Sequence, residues 1–131
     1  METREQSEQL SYMAAQLISA MPELEYIALS NVRIAYLLSD SEKKKGSKLV
    51  FGQCEKVPPK YQWSVPYDFT ITFFQPNIER FTEDQLMILM FHELLHIGIE
   101  EDGNEEKYFV NEHDYEEFRT IIDRYGLDWS M

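Results

Sequence analysis

The sequence predicts an α+β domain: a small three-stranded, mostly antiparallel sheet packed on a central helix, with one further helix towards each end of the chain. Three observations predict it. Apolar residues recur at helical spacing near both ends, three β-rich segments lie between, and the apolar stretch at residues 86–97 has the length of a buried helix rather than a strand. That stretch contains His92-Glu93-Leu94-Leu95-His96, in a chain with only three histidines.

In residues 5–20 the positions Leu10, Met13, Ala14, Leu17 and Ile18 form the stripe of an amphipathic helix that stops before Pro22. Residues 32–38, 48–55 and 67–74 read as strands. The first two are separated by Lys43, Lys44, Lys45, Gly46, Ser47 and Lys48, which predicts a hairpin with a solvated turn. Residues 57–66 carry three prolines (Pro58, Pro59 and Pro66), so they form an ordered loop whose Tyr61 and Trp63 are expected in the core, or else walling a groove.

Thr82 starts the next helix, because Thr82-x-x-Gln85 fits a capping box and Glu83 and Asp84 suit a helix N-terminus. This helix is expected to reach about Ile99 and is apolar nearly all round, the mark of a central helix. Residues 100–106 then read as a solvated acidic turn. Asp102, Asn104 and Glu106 open like a calcium loop, but Lys107 stands where glycine is needed and His113 where glutamate is needed. A last helix is expected from His113 to Tyr125, with Gly126 as its stop.

A chain of 131 residues with 44% hydrophobic residues supports one folded domain, residues 1–131, despite a net charge of -12. The acidic balance, with a sequence pI near 4.6, opposes binding to phosphate backbones, so no nucleic-acid partner is expected. The first residues are polar and acidic, unlike a signal peptide, and no apolar run approaches the roughly 20 residues of a membrane span. A cytoplasmic protein without a membrane partner is the expectation. Cys54, the single cysteine, fits a small buried inert thiol.

The pentapeptide carries the chemistry. On a helix, His92 and His96 project from one face and can converge on one ion, while Glu93 is rotated by roughly 100° and can lie beside it. Two ligands and a general base are the parts that metal-assisted hydrolysis needs. Burying two imidazoles and a carboxylate among Ile88, Leu89, Leu95 and Ile99 without partners would cost several kcal/mol, which a metal offsets. A catalytic zinc takes a third protein ligand and keeps an open position. The candidates are Asp102, which lies at the spacing of compact zincins but without their intervening glycine; Glu116, near the distance at which a second helix supplies a glutamate; and His113, the remaining histidine.

Phe91-His92-Glu93-Leu94-Leu95-His96 followed by His113-Asp114-Tyr115-Glu116-Glu117-Phe118 resembles the small metallopeptidases of phages and bacterial genomes, which are distantly similar to SprT-like zinc proteases. The resemblance extends over most of the chain, including Tyr36-Leu37-Leu38-Ser39-Asp40 and Tyr67-Asp68-Phe69-Thr70-Ile71. It implies a minimal zincin-like domain holding one zinc per chain, with His92, His96 and His113 as ligands, Glu93 as base, and a peptide or protein as substrate. The chain lacks the basic tail, added zinc-binding segment and positive face of DNA-repair members of the wider group.

The expected reaction is attack by a zinc-bound water that Glu93 deprotonates, with the proton passed on to the leaving amine. Tyr108, Tyr115 and Arg119 are candidates to stabilise the oxyanion, although structural roles suit them too. Asp114, Glu116 and Glu117 are candidates to orient a ligand imidazole. Residues 67–74 could offer a sheet edge to an extended peptide. Two other readings use the same residues: an acidic phage-type interaction or inhibitor protein with a structural zinc, and a zinc amidase acting on a small substrate.

Overall fold

Ser7 sets the start of the first helix. Its hydroxyl accepts a hydrogen bond from the Leu10 amide at 3.2 Å, so helix α1 spans Glu8–Ala20 instead of starting at residue 5. The residues before it form strand β1, Arg4–Gln6, paired antiparallel with Ser39 to Leu37. All three are exposed and polar, so the strand exists through backbone pairing alone and leaves no hydrophobic pattern in the sequence. The computed structural model describes residues 2–111, and the expected helix from His113 to Tyr125 lies outside them.

A short 3-10 turn, Pro22–Leu24, and helix α2, Glu25–Ala28, lead to strand β2, Ile34–Ser39. The lysine tip forms a miniature hairpin, β3 at Lys44–Lys45 and β4 at Lys48–Leu49. Strand β5, Gly52–Lys56, follows, then the exposed loop and strand β6, Phe69–Phe74. The sheet has four strands in the order β1-β2-β6-β5, with β2 and β6 parallel and β5 antiparallel to β6. The expected three-stranded sheet with a hairpin between its first two strands is therefore corrected: β6 lies between β2 and β5. Burial explains the order, because Phe69, Ile71, Thr72, Phe73 and Phe74 are all buried, as suits an interior strand covered on both faces. Residues 67–74 accordingly offer no sheet edge, and β5 is an outermost strand.

Tyr61 and Trp63 do not enter the core; they are 49% and 86% exposed. Their loop satisfies itself at the surface, with the Tyr61 amide donating to the Pro58 carbonyl and Val65 to Tyr61, both at 2.9 Å. Cys54 is half-buried, and that burial pushes its thiol far above the usual range, so it stays protonated.

Helix α3, Gln75–Ile78, precedes helix α4, Glu83–Leu94, which opens on the predicted capping box: Gln85 N–H to Thr82 Oγ1 at 3.2 Å and Thr82 N–H to Gln85 Oε1 at 2.9 Å. One cluster joins Leu10, Met13, Ala14 and Leu17 of α1 to Ile88, Leu89, Met90, Phe91 and Leu94 of α4 and to the inner face of β6. Helix α4 ends at Leu94, not near residue 99. The chain continues as strand β7, Ile97–Asp102, and returns as β8, Glu105–Val110. The acidic segment is thus a hairpin with a two-residue turn, and Gly103 at φ 66° supplies the left-handed conformation. Ile97 and Ile99 fit a strand face as well as a helix stripe. Gly98 decides in favour of the strand, since the Phe109 ring from β8 covers its Cα and would meet a Cβ at 2.3 Å. No helix among the described residues is long and apolar enough to cross a membrane.

Candidate metal centre

The last turn of α4 delivers His92 and Glu93, and the bend at Leu95 delivers His96 just beyond the helix. His96 N–H still donates to the Glu93 carbonyl at 3.1 Å, so the bend keeps the two imidazoles on one side. Their ring centroids are 5.3 Å apart and their planes 75° to each other. His92, Glu93 and His96 each offer a nitrogen or oxygen within 4.8 Å of the others. The structure thus brings together the three pentapeptide residues that the sequence singles out.

Two residues outside the pentapeptide fix the bend. Where the chain leaves the helix for β7, its carbonyls lose the helical pattern and need other donors. Tyr26 of α2 donates its hydroxyl to the Ile97 carbonyl at 2.5 Å and approaches that of Leu94 at 3.5 Å. The Asn111 carboxamide reaches the Leu95 and Ile97 carbonyls at 3.3 and 3.4 Å. Asn111 also donates its backbone N–H to the His96 carbonyl at 2.6 Å. Both are residues that sequence reasoning missed, because neither carries a local motif.

The Asn111 carbonyl lies 2.6 Å from His96 Nδ1. A carbonyl can only accept, so Nδ1 carries the proton and, in the neutral ring, the Nε2 lone pair faces the site. Nε2 lies 3.9 Å from Glu93 Oε1. Two acceptors at that separation leave room for a proton or a cation near both. Burial supplies the complementary strain: Glu93 is 4% exposed and its carboxyl is pushed up to about 8 by desolvation. Two imidazoles and a carboxylate with a histidine held in one tautomer by a carbonyl fit a divalent ion of borderline softness.

Space for Glu93 comes from Gly52 at the start of β5. A Cβ there would stand 3.3 Å from Glu93 Oε2 and 3.4 Å from its Cγ. An isolated glycine inside a strand pattern is the sequence signal for such an approach, though it does not reveal the partner. Two clefts meet at Glu93. One of about 300 Å3 reaches His92, and another of about 440 Å3 reaches His96 and Cys54. Lys45, Val50 and Gly52 line both.

Other candidate residues stand elsewhere. Asp102 ends β7, exposed and paired with Lys107 at 2.9 Å. Five strand residues beyond Ile97, it is carried roughly 17 Å along the hairpin from the histidines. Tyr108 donates to Glu106 at 2.7 Å, packs against Phe69, and lines neither cleft. His113, Asp114, Tyr115, Glu116, Glu117 and Arg119 lie outside the described residues.

A family model described as "Putative phage metallopeptidase" matches residues 2–131. The match bears on the phage metallopeptidase resemblance and not on the SprT-like one. Neither the curated proteins nor the solved structures give a match.

Proposed function

The chain belongs to the putative phage metallopeptidase family, and from that premise we propose that it is a zinc-dependent peptidase with Glu93 as its general base. The observation that supports this most is the convergence of Glu93 with His92 and His96 at the junction of two clefts. His92 and His96 would hold the ion. In such a site zinc supplies Lewis acidity, making water acidic near neutral pH and polarising a carbonyl.

His113 is the proposed third ligand. The resemblance implies it, and in the sequence it follows by two residues Asn111, whose carbonyl holds His96. Glu116 is the rival for that position, and Asp102 is removed from it by its place at the hairpin tip.

Glu93 takes the proton of the attacking water and returns it to the leaving amine. Its burial suits this exchange, because a carboxyl with little solvent around it holds a proton at neutral pH until a nearby cation favours the charged form. Strand β5 would present its outer edge to an extended peptide, with Gly52 letting Glu93 pack close beside that strand.

Zinc content measured together with peptide cleavage tests the reading. Purified protein should carry about one zinc per chain and cleave peptides. Glu93→Gln should keep the metal while turnover falls by roughly 10² to 10⁴. His96→Ala should lose the metal. Undiminished cleavage by the Glu93 variant would refute the assignment of the base, and full metal occupancy in the His96 variant would refute the site.

A further inference from the structure

We propose that the lysine hairpin β3–β4 makes this site selective for acidic peptides, an inference that rests on the peptidase reading for its catalytic consequence but not for binding. The chain has 24 acidic and 12 basic residues, yet among the described residues lining the two clefts at Glu93 the only acid is Glu93 itself. The cations there are Lys43, Lys44, Lys45 and Lys48. Among the described residues, then, cations outnumber acids on the cleft lining although acids outnumber cations in the chain, and such a lining draws anionic ligands inward.

Two of these lysines already have partners. Lys43 donates to Gln53 Oε1 at 2.6 Å and sits 5.5 Å from the Phe74 ring centroid, and Lys44 pairs with Glu42 at 3.4 Å. Lys45 and Lys48 have no acidic partner among the described residues. They stand directly opposite each other across the hairpin and line the same cleft. Like charges in that register repel, so the pair is a local cost to the fold that an anionic ligand would relieve.

The hairpin is also anchored. The Asn77 carboxamide donates to the Lys43 and Val50 carbonyls at 2.9 and 2.7 Å, and Val50 N–H donates to the Lys43 carbonyl at 2.9 Å. Its base is thus fixed beside the cleft, which keeps Lys45 and Lys48 on the lining that also reaches His92 and Glu93. Aspartate or glutamate in a peptide lying in that cleft is the chemistry they fit.

Binding and cleavage should be measured separately. Zinc-loaded Glu93→Gln protein is titrated with rhodamine-labelled peptides that differ only in carrying aspartates, asparagines or lysines, and with a single-stranded oligonucleotide. The aspartate peptide should bind roughly tenfold tighter than the asparagine peptide, as a few exposed charge contacts allow, and added salt should erase the difference. Replacing Lys45 and Lys48 together by glutamate should reverse the order, and replacing both by glutamine should level it. Lys60→Glu should change little. Equal affinity for the aspartate and asparagine peptides, an equal effect from Lys60→Glu, or tightest binding to the oligonucleotide would each overturn the proposal. Wild-type protein that binds the aspartate peptide selectively but cleaves none of them would sink the peptidase reading and leave acidic-peptide recognition standing.

Discussion

Two hairpins frame the candidate centre, and they share a turn while differing in purpose. Each closes on a two-residue turn whose glycine sits at φ 66°, Gly46 in the lysine hairpin and Gly103 in the acidic one. Each is held at its base by an asparagine carboxamide on two carbonyls, Asn77 for Lys43 and Val50, Asn111 for Leu95 and Ile97. Turn chemistry therefore says nothing about their roles; what differs is where the base is pinned. Asn111 fastens β7–β8 to the histidine that would ligate metal, whereas Asn77 fastens β3–β4 to helix α3.

The comparison can be broken most severely at Gly98. Gly98→Ala places a methyl group 2.3 Å from the Phe109 ring, so β7 and β8 must separate or the ring must leave. A loss of about 1–3 kcal/mol is expected, with weakened zinc retention, measured by thermal unfolding and metal analysis. Unchanged stability would mean that Phe109 does not cover this position.

The two asparagines should then separate in their effects. Asn111→Ala should cost about 1–2 kcal/mol and lower zinc affinity by roughly tenfold, since the bend that carries His96 loses the carboxamide and keeps only the Tyr26 hydroxyl as a side-chain donor. Asn77→Ala should cost about as much in stability but leave zinc affinity alone, raising KM instead. A chelator competition assay beside steady-state kinetics would show it. If both variants lose zinc equally, the division between the hairpins is wrong.

The smallest effects belong to the turns. Gly46→Ala and Gly103→Ala should each cost roughly 1 kcal/mol through the left-handed backbone, with no spatial clash, and only the first should alter peptide affinity.

What could be read from the sequence was local. The Thr82 cap and the turn at Gly46 each reside in a few neighbouring residues and appear as predicted, and the three pentapeptide side chains cluster although His96 stands beyond the helix expected to carry it. The end of α4 is not legible, because Leu95, Ile97 and Ile99 satisfy a helical stripe and a strand face alike, and the deciding contact, Phe109 over Gly98, comes from another strand. The interior place of β6 was not legible either. Pairing order depends on which strand buries both faces, and that follows from where α1 and α4 pack. At the site the chemical groups were visible, but Gly52, Tyr26 and Asn111 act through tertiary contacts that leave no pattern.

His96 stands beyond the helix that carries His92, and Asn111 holds it from the far end of β8. The distance between the two imidazoles is therefore set by docking of the β7–β8 hairpin as well as by the pitch of α4. An ion gripping both rings and the hairpin lying closed become one linked equilibrium, each favouring the other by the same free energy. Metal loading would consequently be written into the amide-exchange rates of Ile97 to Val110, and loosening the hairpin anywhere along its length would be felt as a loss of metal at its root.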